Sequence, residues 1–251
     1  GQLALGELAA ARETVRRIEK LAPPAGDRLA HSDAVLRCYA LVREREGAAA
    51  WTAGLLARTR GRARLAARLF AALAAFDRGD LEACERLLLT AKPAAADPEL
   101  APRWLEVAAN LALERTDGAA LVEHARRRLA LGRRRMTRFE AGRAWNLLGL
   151  GHQLAGDLDR AERALAHAAR LLGRCDGPLG VTLAGANLAE VRLRVGRLAG
   201  VETILSATTV ANLRAGNRAG QLCDELLGAR LELVRGELEA ALARCRRGLD
   251  T

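Results

Sequence analysis

The sequence predicts an all-α chain built from stacked helix pairs, and three observations support this. Half of the 251 residues are apolar but only 3% are aromatic, which suits a core packed closely from Ala, Leu and Gly and not a sheet rich in Val, Ile, Tyr and Phe. Apolar residues recur at spacings of three and four, as in Leu147, Leu148 and Leu154 and again in Leu158, Ala161, Leu165 and Ala168. Glycine-centred turns recur along the chain, the last three at Gly156, Gly196 and Gly236 with a spacing of 40 residues.

The elements follow in order. "LGELAAARETVRRIEKLAPP" supplies a turn glycine (Gly6), a packing alanine (Ala11) and a closing proline (Pro23) with no helix before the turn, so it reads as a half repeat. Further turns are "EGAA" at Gly47, "RGDL" at Gly79, the worn copy "ERTDGAAL" around Thr116, "AGDL" at Gly156, "VGRL" at Gly196 and "RGEL" at Gly236. Helix breaks are expected at each. Glycine can adopt the left-handed conformation that ends one helix, and an Asp or Glu beside it suits the positive N-terminus of the next. The count gives one repeat domain over residues 1–251, with about six helix pairs after the N-terminal half repeat.

In "AWNLLGLGHQLAGDLDRAERALAHAARLLG", the residues Trp145, Leu148, Gly149, Gly156, Asp157, Ala161, Leu165 and Ala168 fall where the tetratricopeptide repeat (TPR) has its bulky, small and turn positions. The chain therefore resembles a TPR-like, right-handed α-solenoid of antiparallel helix pairs, with a repeat of about 40 residues against about 34 in the family. Weaker copies place Trp104, Ala108, Leu111 and Ala120, and Ala72, Gly79, Cys84, Leu88 and Ala91, in the same roles. The resemblance implies that Gly149 and Ala161 face each other within one pair. Lengthened Ala/Leu/Arg-rich arrays of this kind are similar to the sensor regions of large bacterial signalling regulators. The expectation is a piece of a longer cytoplasmic protein carrying an ATPase, kinase or DNA-binding domain, with roles in signalling or transcription regulation.

The formal charge of +10 and pI near 10.7 raise an anionic partner such as nucleic acid. Only Lys20 and Lys92 are lysines among 40 basic residues, leaving 38 arginines, a bias that GC-rich coding produces without functional demand. Five cysteines, Cys38, Cys84, Cys175, Cys223 and Cys245, form no CxxC pair, so neither a disulfide framework nor a zinc site is expected. No charge-free run of 18 apolar residues marks a membrane span. HExxH, GxSxG and any Gly-Lys step are absent, which removes the zinc-protease, hydrolase and P-loop templates. His31, His124, His152 and His167 have no His or Cys three or four residues away, and Asp159 with Arg163 reads as a solvated pair. No enzyme activity, cofactor or metal is expected.

What remains is the surface that stacking creates, a concave wall lined by the first helix of each pair. Periodicity assigns Leu69, Leu73, Phe76, Leu105, Asn146, Leu150, Gln153, Glu190 and Arg230 to it. An apolar centre with polar ends suits a peptide or amphipathic helix of a protein partner, with Phe76 as its anchor. The alternative is a basic scaffold for nucleic acid or another anionic partner, carried by Arg133, Arg134, Arg135 and Arg138 in "GRRRMTRFEAGR" and by the strip Arg58 to Arg68.

Overall fold

Leucine and alanine at helical spacing give eleven α-helices and one 3-10 turn among the described residues, and no strand. The structure is a computed structural model that describes residues 45–132, 136–175 and 178–249, with single positions at 13, 15–18, 31 and 35. The helices are α1 (Arg45–Arg58), α2 (Gly61–Asp77), α3 (Leu81–Thr90), α4 (Ala101–Glu114), α5 (Gly118–Gly132), α6 (Arg138–Leu154), α7 (Leu158–Leu172), α8 (Pro178–Arg194), α9 (Val201–Ala215), α10 (Arg218–Arg235) and α11 (Leu238–Leu249). They fall into two compact units, Gln2–Leu111 and Ala112–Thr251.

The turns show why glycine recurs. Gly79, Gly156, Gly196 and Gly236 all have positive φ, and Thr116 takes the same left-handed conformation at the worn copy. At each, the N–H of the residue after the left-handed one reaches back five residues: Asp157 N–H donates to the His152 carbonyl at 2.9 Å, Asp117 to Ala112 at 2.9 Å and Glu237 to Glu232 at 2.9 Å. The same aspartate then starts the next helix. Asp80, Asp117 and Asp157 accept from the backbone N–H groups of Ala83, Ala120 and Arg160 at 2.9–3.0 Å. One Gly-Asp step thus closes one helix and opens the next. Gly47 lies in the first turn of α1, whose described start at Arg45 is two residues from the expected break; Gly6 lies outside the described residues.

In the unit Gln2–Leu111, Leu69, Phe70, Ala72, Ala75, Cys84, Leu88, Val107 and Ala108 form a buried core. Arg62, at the start of α2, reaches Asp97 at 2.6 Å and Glu99 at 2.5 Å, and Arg68 donates to the Thr90 carbonyl at 2.8 Å. The guanidinium beside it holds the Asp97 carboxyl well below the usual range. Two members of the arginine strip are therefore internal fasteners.

In the unit Ala112–Thr251, each helix from α5 to α11 packs on the next, and α8 also lies against both α6 and α10. Pair packing depends on glycine. A Cβ on Gly149 would sit 2.5 Å from Leu165 Cγ, and one on Gly142 2.5 Å from Leu172 Cγ. The two glycines are seven residues apart on α6 and receive two leucines seven apart on α7, in antiparallel register. The residue opposite Gly149 is therefore Leu165, and the expected partner Ala161 lies one turn earlier in the same buried row.

Adjacent repeats are also fastened by charge. Glu162 on α7 accepts from Arg192 at 3.0 Å and from Arg197, and Arg197 also reaches Asp159 at 2.7 Å. The partner of Asp159 is thus Arg197 in place of the expected Arg163. Burial alone would raise the Glu162 carboxyl; the hydrogen bonds from Arg197 and Arg192 outweigh it and hold the group below its ordinary value. A depressed carboxylate contributes stability that is present above its unfolded pKa and lost as pH falls through the folded one. Glu162→Gln should therefore narrow the loss of thermal stability on acidification from neutrality to below about pH 4. Melting curves across that range check it, and identical acid limbs for both proteins would exclude Glu162 as a contributor.

Candidate functional site

The first helices of three successive pairs, α6, α8 and α10, stand side by side in the unit Ala112–Thr251. A capping box starts α6: Thr137 Oγ1 accepts from the Glu140 N–H at 3.2 Å while Glu140 accepts from the Thr137 N–H at 2.9 Å. Asn217 caps α10, accepting from the Gly220 N–H at 3.3 Å. These caps fix where each helix begins and so which residues stand abreast.

Amides and a carboxylate bridge α6 and α8. Asn187 Nδ2 donates to Asn146 Oδ1 at 3.0 Å and to the Leu183 carbonyl at 3.1 Å, and Gln153 Nε2 donates to Glu190 Oε1 at 3.1 Å. Across from Glu190, on α10, burial and then the nearby carboxylates of Asp224 and Glu190 push the Cys223 thiol up. Further along α10, Leu226, Arg230 and Leu233 are exposed. Leu226 and Leu233 are each more than half exposed, which is unusual for leucines on a helix with a packed side.

The sequence-derived wall meets this geometry unevenly. Leu150, Gln153 and Glu190 are half-buried along α6 and α8, and Arg230 is exposed on α10. Asn146 is buried, with its oxygen taken by Asn187. Leu69 and Leu105 are each only 1% exposed, Leu69 within the core of its unit, and neither offers surface to a partner. Leu73 and Phe76 are half-buried and pack against that same core. Leu69 on α2 shares its cluster with Cys84 and Leu88 on α3 and with Val107 and Ala108 on α4, so its side of the helix is turned inward.

Of the basic run, Arg138 donates to the Arg174 carbonyl at 3.2 Å, tying the start of α6 to the end of α7, while Arg133, Arg134 and Arg135 lie outside the described residues. Among the described residues no three His, Cys, Asp or Glu side chains gather as a metal would need, and no helix is long and apolar enough to cross a membrane.

One polar cluster escaped sequence reading. Asp224 on α10 is 2% exposed; it accepts from Thr208 Oγ1 at 2.7 Å and from Asn212 Nδ2 at 2.8 Å, both on α9, and Asn217 Nδ2 donates to Asn212 Oδ1 at 2.8 Å. A signal for it lies in the spacing: Thr208 and Asn212 are four apart, on one face of α9.

No protein-family model matches the sequence, and no curated protein does. Among solved structures, BtubC (BKLC) from P. vanneervenii is similar with a TM-score of 0.62 at 15% identity, over 99% of this chain and 91% of that one. A putative kinesin light chain with nearly identical TPR-like repeats from Podosopora anserina aligns at 13% identity and a TM-score of 0.42 over 99% of this chain and 97% of that one. A single-residue variant of that protein gives 12% and 0.44 over 100% and 96%. The fold is a TPR-like helical repeat.

Proposed function

We propose that the chain is a protein-interaction scaffold with no catalytic step of its own, holding a helical or extended segment of a partner against the row formed by α6, α8 and α10. The observation that carries this reading is the exposed pair Leu226 and Leu233 beside the polar positions Gln153, Glu190 and Arg230. Leucines in such a place offer apolar area to a partner, and the flanking polar groups set its direction. By the same reading the chain is the sensing or interaction segment of a larger bacterial signalling or regulatory protein in the cytoplasm, joined to an ATPase, kinase or DNA-binding domain.

A double variant, Leu226→Asp with Leu233→Asp, should lose partner capture from the native cytosol while keeping its helical circular dichroism. Reversing Arg134 and Arg135 to Glu should leave capture unchanged, and raised salt should weaken it little. The opposite pattern, with capture lost in the arginine variant and steeply salt-dependent, would replace this reading by that of a basic scaffold for nucleic acid or another anionic partner.

A further inference from the structure

Where the start of α5 crosses the end of α6, the two backbones meet closely: a Cβ on Gly118 would stand 3.0 Å from the Ala155 nitrogen and 3.0 Å from the Gly151 carbonyl oxygen. Beside this crossing, α5, α6 and the first turn of α7 line a cavity of ≈ 570 Å³, within the size range of small-molecule sites. His152 lines it, together with Val122, Ala119 and Ala155, and with Arg126, Arg127 and Arg160 at the rim.

Two features point to an anionic ligand. His152 is only 7% exposed, yet its imidazole has no hydrogen-bond partner among the described residues. The ring lines the cavity with its nitrogens unbonded to any described residue, so a bound group can meet them. The charges around it are also unequal. Glu123 is engaged by Arg127 at 3.6 Å and Asp157 by Arg160 at 3.2 Å, while Arg126 has no carboxylate partner among the described residues. The rim therefore carries a surplus guanidinium.

We propose that this cavity binds a small organic phosphate, with the phosphoryl oxygens held by Arg126 and His152 and the organic part against Val122, Ala119 and Ala155. A guanidinium presents planar paired donors to such an oxyanion, and imidazole adds a donor from below. The site lies apart from the α6, α8 and α10 residues assigned to partner binding, so it stands or falls independently of that reading.

The site has a titratable floor. Burial, and then Arg126, hold the His152 imidazole below its ordinary range, with Arg160 and Arg163 acting the same way and Asp157 opposing; Glu123 and Arg127 face the cavity from α5. A bound dianion favours the protonated ring, so binding takes up a proton and affinity rises as pH falls.

Phenyl phosphate titrated calorimetrically into the full chain should bind saturably at one site. Arg126→Gln should weaken it about tenfold, whereas Arg58→Gln, which removes the same charge elsewhere, should not. Inorganic sulfate, whose own charge is fixed in this range, should bind more tightly at about pH 6 than at about pH 8, with the difference lost in His152→Gln. Equal weakening by the two arginine variants would mean diffuse attraction to a basic chain and would overturn the proposal. So would pH-independent sulfate binding, or no binding of phenyl phosphate at all.

Discussion

Gly149→Val should destabilise the chain by about 3 kcal/mol, a fall of roughly 10 °C in Tm. In a bare helix, replacing glycine gains stability, about 0.5–1 kcal/mol for alanine. Gly54 on α1 shows that case: a Cβ there meets nothing closer than Arg58 Nη2 at 3.6 Å, so Gly54→Ala should stabilise. At Gly149 the sign reverses, because the new atom would lie 2.5 Å from Leu165 Cγ and 3.2 Å from the Leu165 backbone nitrogen. Leu165 is fully buried among Ala161, Leu188 and Val191, and it cannot swing aside without disturbing the next repeat. Adding Leu165→Ala tests the mechanism. That change alone should cost about 2–5 kcal/mol, but in the Gly149→Val background the valine fills part of the vacated space, so the two losses should sum to well over the double variant's loss. Strict additivity in denaturant melts would mean that the two residues do not meet.

The turn glycines were legible because a positive φ is a backbone demand that few residues meet. Gly79, Gly156, Gly196 and Gly236 could be placed from sequence, and even the substitute at Thr116 was marked by the Asp-Gly that follows it. Pair register was harder. Periodicity puts Gly149 on the face toward α7, but the helix crossing decides whether Ala161 or Leu165 stands opposite, and one turn separates them. The wall suffered most. A period of 3.6 marks an apolar stripe, yet it cannot distinguish a buried stripe, as at Leu69 and Leu105, from one left in solvent, as at Leu226 and Leu233. Long-range ion pairs were invisible for a similar reason: Arg62 and Asp97 are separated by 35 residues, and only the folded chain brings them within 2.6 Å.

Asp224→Ala should cost about 3 kcal/mol, although Asp224 touches no expected site residue. The carboxylate is buried between α9 and α10, where its two oxygens are the acceptors for the Thr208 hydroxyl and the Asn212 amide. Truncation leaves the buried Asn212 amide without its acceptor, at a cost on the order of 1–3 kcal/mol, while the Thr208 hydroxyl keeps only the Leu205 carbonyl at 3.0 Å. The surroundings cannot easily adjust. Only glycine fits at Gly220 beside Asn212, since a Cβ there would fall 2.2 Å from Asn212 Oδ1, which is also held by Asn217. Asp224→Asn should be milder, because the amide oxygen can accept from Asn212 while its nitrogen donates to Thr208 Oγ1, whose hydroxyl then donates to the Leu205 carbonyl. The decisive variant exchanges the pair, Asn212→Asp with Asp224→Asn. The carboxylate so placed on α9 can accept from Asn217 and from the amide so placed on α10, whose carbonyl oxygen can still accept from Thr208. All three bonds are then restored, with the direction of one reversed. Stability of this exchange should return to within about 1 kcal/mol of the parent, against a loss of about 2 kcal/mol for Asn212→Asp alone, which sets two carboxylates against each other. A double variant no more stable than Asn212→Asp alone would show that the cluster is held by something other than this donor and acceptor pattern.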